Sequence, residues 1–198
     1  MIKLHIATIR DIGNQCKIWA SNNLPEDTIL TENIDDSDIL ISIIYDKIFN
    51  DKFLKNRKCF NFHLGKLPEY GGSNIPVWAL LNNESEFGIT LHLIDRGVDT
   101  GDIIDIEKFK IEKLDTAFTI YQKGEIVILK MFKNWFLRLI KNDFTTVKQD
   151  KSKSNMYYKK QLDEVKDISV LARALYFPAK ESLFYFNSKG QKIHVTYY

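Results

Sequence analysis

The sequence predicts an α/β protein with an open, mostly parallel, Rossmann-like sheet. Apolar segments of strand length alternate with segments of helical periodicity through the first two thirds of the 198-residue chain. The most apolar of these segments, Asp38–Tyr45, is continuous and has no polar alternation, which is typical of a parallel strand buried on both faces. Strands that alternate with helices join through right-handed crossovers into one parallel sheet.

The remaining elements follow in a regular order. Further strands are predicted at Lys3–Thr8, Thr28–Leu30, Cys59–His63, Phe87–Ile94 and Ile103–Ile111. Short helices are predicted at Asp11–Ser21, Asn50–Asn56 and Pro76–Asn82. Asp115 or Thr116 can cap a long helix, whose apolar stripe runs from Ile120 to Leu139.

The composition changes after about Asn142 and becomes polar and basic. We therefore expect an α/β core over residues 1–142 and a small C-terminal appendage over residues 143–198. A helix at Val165–Leu175 and a β-hairpin formed by Leu183–Phe186 and Ile193–Thr196 are predicted within the appendage.

Composition and charge exclude several classes of function. A net charge of +2 is too small to indicate a nucleic-acid partner. The two cysteines have no metal-ligand spacing and are expected to stay reduced, as in a cytoplasmic protein. No signal peptide is evident at the start of the sequence. The apolar stretch 117–140 contains five charged residues, so we expect no membrane span.

Polar side chains follow three of the predicted strands, after Tyr45, Phe62 and Ile94. In open parallel sheets, ligands bind outside the carboxyl ends of the strands, so we expect these segments to meet there. Asn61 and His63 are two residues apart and share a face of their strand.

An amide and an imidazole aimed at one point can stabilise an oxyanion and move a proton. A carboxylate such as Asp99 would orient the imidazole of His63 and raise its pKa. This is a set for acyl transfer without a protein nucleophile, although Asn61 and His63 alone are more often an ordinary hydrogen-bonding pair. The sequence has no metal motif, no Gly-x-Gly-x-x-Gly and no P-loop.

The order and spacing of several motifs resemble the folate-dependent formyltransferase family. The motifs are Asn61-x-His63, Leu67-Pro68, Tyr70-x-Gly72, Gly88-x-Thr90 and Asp99-Thr100-Gly101-Asp102-Ile103. The 36-residue interval from His63 to Asp99 matches the family's own. The resemblance covers residues 38–110 and implies the formyltransferase type of sheet.

The resemblance implies a role for each matching residue. Asn61 would donate to the formyl oxygen, His63 would act as base or as electrophilic partner, and Asp99 would set the protonation of His63. The co-substrate would be N10-formyltetrahydrofolate, with no metal. The family's folate-holding stretches match Tyr45, Asp46, Lys47, Ser73, Asp95, Arg96, Gly97 and Val98.

The acceptor implied by the resemblance is the amine of a nucleotide-linked sugar, of the dTDP-amino-dideoxyhexose type used in surface glycan or O-antigen synthesis. The chain lacks a large basic domain for tRNA and the Gly-Ser-Asn phosphate loop of glycinamide ribonucleotide enzymes. Formylation of glycinamide ribonucleotide or of a peptide-synthetase-bound amino acid stays open, as does a non-catalytic sugar-nucleotide or folate-binding module.

The basic segment before the C-terminal helix offers further candidates for substrate contact. Tyr157 or Tyr158 is expected to stack on the base and Lys159 or Lys160 to lie near the pyrophosphate. A solvated basic loop is an alternative of at least equal weight. Relatives that modify sugars are often dimers, so a homodimer is expected, with the C-terminal hairpin as a candidate interface.

The loop Gly65–Pro76 departs from the family pattern. Gly65 stands where the family usually has serine, and Gly71 stands where it often has a basic residue. Such a loop could change the acceptor or weaken the folate contact at Ser73. His92 precedes the Asp99 turn, and it either lines the site or is structural.

Overall fold

A computed structural model describes residues 1–164, 168–176, 184–186 and 191–194. Its strands are β1 (Ile2–Thr8), β2 (Thr28–Leu30), β3 (Ile39–Ile43), β4 (Lys58–His63), β5 (Gly71–Gly72), β6 (Glu86–Leu93), β7 (Ile103–Lys110), β8 (Met156–Tyr157), β9 (Phe184–Phe186) and β10 (Lys192–His194). Its α-helices are α1 (Asp11–Ser21), α2 (Asp51–Leu54), α3 (Ile75–Leu81), α4 (Ala117–Lys141) and α5 (Ile168–Ala174).

Six strands form one open sheet in the order β2-β1-β3-β4-β6-β7. The first four run parallel, whereas β6 is antiparallel to β4 and β7 is antiparallel to β6. The predicted α/β class with an open, mostly parallel sheet is confirmed. The assumption that the segment after Ile94 follows a parallel strand is wrong, because β6 is antiparallel to β4 and its end at Leu93 lies beside Phe60, near the start of β4.

All five residues of β3 are buried, as the continuous apolar run predicts. The strand ends earlier than predicted because Ile44 has a φ of 48°. A β-branched residue rarely adopts this left-handed conformation. It turns the chain out of the sheet and starts the loop of residues 44–50.

The core lies mainly on the face of the sheet covered by α1 and α4. Phe62 of β4 packs against Phe132 of α4, and both side chains are fully buried. Because side chains alternate along a strand, Cys59 lies on the opposite face, in a smaller cluster with Ala7 and Leu40.

Helix α4 begins at a capping box. Thr116 Oγ1 accepts a hydrogen bond from the Thr119 N–H, and Thr119 Oγ1 accepts one from the Thr116 N–H. The predicted cap at Thr116 is confirmed, and the helix ends before Asn142, which is left-handed with a φ of 57°. Within the described ranges, none of the helices combines the length and apolar character that a membrane crossing requires.

The segment after α4 returns to the sheet and to the loop that follows β4. Val147 and Ile103 exchange two backbone hydrogen bonds of 2.8 Å, and β8 pairs with β5. Helix α5 packs on α3, and β9 and β10 form the predicted antiparallel hairpin. The predicted ends of these elements at Val165, Leu183 and residues 195–196 lie outside the described residues.

Candidate active site

Strand β4 presents Asn61 and His63 on the same face of the sheet, because side chains two residues apart along a strand point the same way. Phe60 and Phe62 point to the other face and are fully buried, which fixes the orientation of the strand. His63 ends the strand and is only 7% exposed.

Asp99 reaches the same face from the loop between β6 and β7. Its φ is 54°, a left-handed conformation that aspartate tolerates better than most residues. Asp99 Oδ1 lies 3.4 Å from His63 Nδ1 and 3.5 Å from Asn61 Nδ2. Asp99 Oδ2 accepts a hydrogen bond of 2.9 Å from the Gly72 N–H. The structure therefore brings the three predicted catalytic residues into one cluster.

The imidazole of His63 is held in one tautomer. Its Nε2 lies 2.7 Å from the carbonyl oxygen of Tyr70. A carbonyl oxygen can only accept, so Nε2 carries the hydrogen. In the neutral ring, Nδ1 is then unprotonated and is the nitrogen that can take up a proton. Because Asp99 Oδ1 faces Nδ1, its charge would stabilise the resulting imidazolium.

Two opposing effects set the pKa of His63. Burial lowers this pKa below its ordinary value of 6.5, and the attraction of Asp99 opposes the shift without cancelling it. Asp99 does raise the pKa of His63, as expected, but the loss of hydration on burial is the larger effect. His63 is consequently neutral near pH 7, the form that a base requires.

Asp99 is the charged member of the cluster. Burial alone would raise the pKa of its carboxyl, but His63, His92 and the Gly72 N–H together hold it below the ordinary value of 3.8. A carboxylate at this position adds negative charge beside the imidazole across the neutral pH range.

His92 orients the amide of Asn61. Its Nδ1 lies 2.7 Å from the Leu93 carbonyl oxygen and must carry the hydrogen, so its Nε2 is an acceptor in the neutral ring. Asn61 Nδ2 donates to that Nε2 at 3.1 Å. The amide nitrogen of Asn61 is thereby held on the side of Asp99. His92 is therefore structural and also lines the cavity, so both roles considered for it apply.

The absence of a side chain at Gly65 has a steric explanation. A Cβ atom built on Gly65 would lie 2.5 Å from both His63 Nε2 and the Tyr70 carbonyl oxygen. Real Cβ atoms do not approach other atoms so closely, so a side chain here would displace the hydrogen bond between them. The departure from the family pattern at Gly65 is therefore linked to the orientation of His63.

A cavity of ≈ 770 Å³ opens over the cluster. Its volume lies within the range of about 300–1,000 Å³ that small-molecule sites occupy. The predicted residues that line it are Asn61, His63, Asp99, Tyr45, Asp46, Lys47, Ser73, Asp95, Gly97, Val98 and Tyr158.

The loop after β3 forms one wall of this cavity. The ring of Phe49 stacks between those of Tyr45 and Phe53, with centroid distances of 6.0 and 4.8 Å. Within the described residues, no backbone hydrogen bond involves Tyr45, Asp46 or Lys47. The sequence analysis did not identify Phe49 as a cavity residue. The aromatic residues at every fourth position, Tyr45, Phe49 and Phe53, were the signal that could have found it.

Two predicted contact residues do not line the cavity. Arg96 points to solvent, is 83% exposed and pairs with Asp51 at 2.8 Å, so its side chain does not line the cavity. Lys159 is exposed on a 3-10 helix and does not line it either.

The ring of Tyr157 stacks on Tyr70 and Trp78, with centroid distances of 5.2 and 5.1 Å. Its hydroxyl accepts a hydrogen bond from Asn82. Of the two tyrosines expected to contact the base, Tyr157 thus already stacks on protein rings and does not line the cavity. Tyr158 is the tyrosine that lines the cavity.

In the part of the chain that the structure describes, no three His, Cys, Asp or Glu side chains are grouped closely enough to hold a metal ion. The cluster instead combines an amide donor, a neutral imidazole and a carboxylate. These groups can polarise a carbonyl oxygen and accept a proton. Fold and site together define an α/β protein equipped for acyl transfer to a nucleophile.

Comparison with known proteins identifies the family. The family model described as "Formyl transferase" matches residues 17–132, and the chain belongs to this family. It is 37% identical over 106 residues to a GDP-perosamine N-formyltransferase of Brucella melitensis, which covers 48% of this chain and 41% of the relative. The chain thus spans less than half of that relative's length.

Two solved structures share the fold. The N-formyltransferase of Helicobacter canadensis, solved with folinic acid and dTDP-3-aminofucose, has a TM-score of 0.76 and 26% identity, covering 89% of this chain and 81% of that one. A sugar N-formyltransferase from a Shewanella species has a TM-score of 0.85 at 17% identity, covering 100% and 97% of the two chains. The second likeness concerns the fold alone.

Proposed function

We propose that this protein transfers a formyl group from N10-formyltetrahydrofolate to the amine of a nucleotide-linked amino-deoxysugar. The observation that carries the proposal is the contact of Asp99 with both His63 and Asn61 beneath a ligand-sized cavity. An amide, an imidazole and a carboxylate in contact form the chemical set that acyl transfer to an amine needs.

Each side chain has a distinct task in this proposal. Asn61 Nδ2 donates to the formyl oxygen, where negative charge develops, in exchange for its long contact of 3.5 Å with Asp99. His63 Nδ1 accepts the proton that the attacking amine must lose. Asp99 then stabilises the imidazolium across the 3.4 Å contact with Nδ1.

The cavity fits a reduced folate in size and in chemistry. When bound, N10-formyltetrahydrofolate supplies the activated one-carbon unit. Backbone groups of Tyr45, Asp46 and Lys47 that have no partner in the described chain would hold the flat heterocycle. Asp95, Gly97, Val98 and Ser73 line the same cavity and complete the proposed folate contacts, with Arg96 contributing backbone alone.

A dTDP-linked amino-dideoxyhexose is the acceptor that we propose. The Helicobacter canadensis neighbour was solved with dTDP-3-aminofucose, which supports the dTDP form. The Brucella relative is named for GDP-perosamine, which makes a GDP-linked sugar the second candidate. Tyr158 is 43% exposed at the cavity and is the proposed contact for the base.

The decisive assay incubates the protein with formyl-folate and a panel of dTDP-, UDP-, GDP- and CMP-linked amino sugars. Mass spectrometry follows the gain of one formyl group on the sugar. We expect formylation of a dTDP-linked amino sugar, and formylation slower by about 10²- to 10⁴-fold with His63→Ala. If only a GDP-linked sugar is formylated, the acceptor is the second candidate, a GDP-linked amino sugar.

Glycinamide ribonucleotide and an amino acid bound to a carrier protein form the next arms of the panel. Transfer to either of them, with no sugar formylated, would replace the acceptor class. Tight nucleotide binding in a thermal-shift assay, without product from any amine, would show a binding module and reject the enzymatic proposal.

A further inference from the structure

The side chain of Gln149 contacts the turn that carries Asp99. Its Nε2 lies 2.8 Å from the carbonyl oxygen of Asp99 and 2.7 Å from that of Gly101. An amide nitrogen has two hydrogens, so it can donate to both oxygens at the same time. One side chain from a segment 50 residues away thus bridges the two ends of the turn.

The turn depends on such support. Asp99 is left-handed, and a side chain at Gly101 would overlap the carbonyl oxygen of Leu93 in β6. At the other end of the loop, Asp95 accepts hydrogen bonds from the Thr100 hydroxyl and the Gly97 N–H. Between them, Asp95 and Gln149 hold both sides of the loop.

Gln149 is itself anchored to the sheet. Val147, two residues before it, exchanges backbone hydrogen bonds with Ile103 at the start of β7. The residues that follow Gln149 run on to β8, which pairs with β5 next to Gly72, the donor to Asp99. The glutamine is consequently fixed relative to the cluster on both sides.

We infer that Gln149 is a positioning residue for formyl transfer, because its amide fixes the turn that keeps the Asp99 carboxylate against His63. This inference rests on the function proposed above. Without the two donors, the carbonyl oxygens of Asp99 and Gly101 lose their partner, and the turn relaxes. The 3.4 Å contact between Asp99 Oδ1 and His63 Nδ1 then lengthens.

The first test replaces the amide and keeps the shape of the side chain. Gln149→Met removes both donors, and Gln149→Glu places a carboxylate against two carbonyl oxygens. We expect kcat to fall about 10- to 100-fold in each variant, as for other groups that support a catalytic side chain. KM for formyl-folate should change much less than kcat, because the hydrogen bonds of Asp95 with Gly97 and Thr100 still hold the folate-facing part of the loop. Gln122→Met, the same change at an exposed glutamine of α4, is the matched control and should behave as wild type.

A double-mutant cycle separates positioning from general stability. If Gln149 acts through Asp99, Gln149→Met should lower kcat no further in an Asp99→Asn background. Equal losses of kcat in both backgrounds, or wild-type kcat in both glutamine variants, would overturn the inference. A loss of folding in Gln149→Met shifts the comparison to Gln149→Glu.

Failure of the proposed function is distinguishable, because then the wild-type protein itself forms no product. The inference is still tested in that case by NMR titration of His63. A weaker Asp99 contact should lower the His63 titration midpoint in Gln149→Met relative to wild type and Gln122→Met. An unchanged midpoint would reject the positioning role.

Discussion

Strand β4 and the loop between β6 and β7 both contribute to the active-site cluster, but they hold their side chains by different means. Asn61 and His63 are placed by strand alternation, and hydrogen-bonded strands flank β4 on both sides. Asp99 is left-handed and is held by Gln149 and by the Gly72 N–H. One half of the site is therefore specified locally, and the other half depends on tertiary contacts.

The largest expected effect comes from removing the base on β4. His63→Ala should lower kcat about 10²- to 10⁴-fold, since the attacking amine loses the proton acceptor Nδ1 of His63. Single-turnover formylation, followed by mass spectrometry, measures the loss. His5→Ala is the control, because His5 is buried against the Thr31 carbonyl and lies outside the site. Undiminished turnover in His63→Ala would remove His63 from the mechanism.

The loop half of the site is tested by Asp99→Asn, which keeps the shape and removes the charge. We expect kcat to fall about 10²- to 10³-fold, because the imidazolium loses its charged partner. Stability should change as well: the pKa of Asp99 is lowered by folding, so its contribution is present above the ordinary 3.8 and is lost as the pH falls.

Acid unfolding tests the predicted contribution of the Asp99 carboxylate to stability. The free energy of unfolding of the wild type should rise with pH through the range below about 3.8 more steeply than that of Asp99→Asn. Parallel curves for the two proteins would show that the Asp99 carboxylate has no favourable partners in the folded state.

Gly65→Ser tests the contact that fixes the His63 tautomer. The added Cβ would sit 2.5 Å from His63 Nε2, so the ring must move. Misplacing a catalytic group in this way should lower kcat about 10- to 100-fold. The same kinetic assay measures kcat of the variant. Ser73→Gly does not serve as a control, because Ser73 lines the cavity. An active Gly65→Ser enzyme would show that the loop accommodates the usual serine of the family.

The smallest effect on activity is expected for Tyr157→Leu. This change removes the ring stacked on Tyr70 and Trp78 and the hydrogen bond from Asn82. Thermal and urea unfolding should show a loss of about 1–3 kcal/mol, while KM for the sugar nucleotide stays unchanged. A raised KM with unchanged stability would restore Tyr157 as a substrate contact.

The sequence predicts the local half of the site well. The period of two along β4 places Asn61 and His63 on one face. The resemblance of the Asp-Thr-Gly turn and its spacing to the formyltransferase family implies Asp99 as their partner. The apolar run of β3 and the cap at Thr116 are also visible, because each depends on neighbouring residues.

The remaining features depend on contacts between distant segments. The apolar residues of β6 are equally compatible with either strand direction, so its antiparallel pairing could not be inferred. Nothing around Tyr157 in the sequence distinguishes a ring stacked on protein from a ring stacked on a base. The lowered pKa of His63 could not be predicted from the sequence, because it depends on the burial of the ring as well as on the charge of Asp99. The boundary at residue 142 and the homodimer stay predictions.

The measurement that tests the account most directly is the pH dependence of single-turnover formyl transfer in the wild type and in Asp99→Asn. The account predicts that the wild-type rate rises with pH and that the Asn variant, with a lower plateau, has its acid limb displaced to lower pH. This follows because Asp99 raises the pKa of His63 against the larger effect of burial. The account would be contradicted by acid limbs at the same pH in both proteins, or by an acid limb of Asp99→Asn displaced to higher pH. A rate that falls as His63 becomes neutral would contradict it as well.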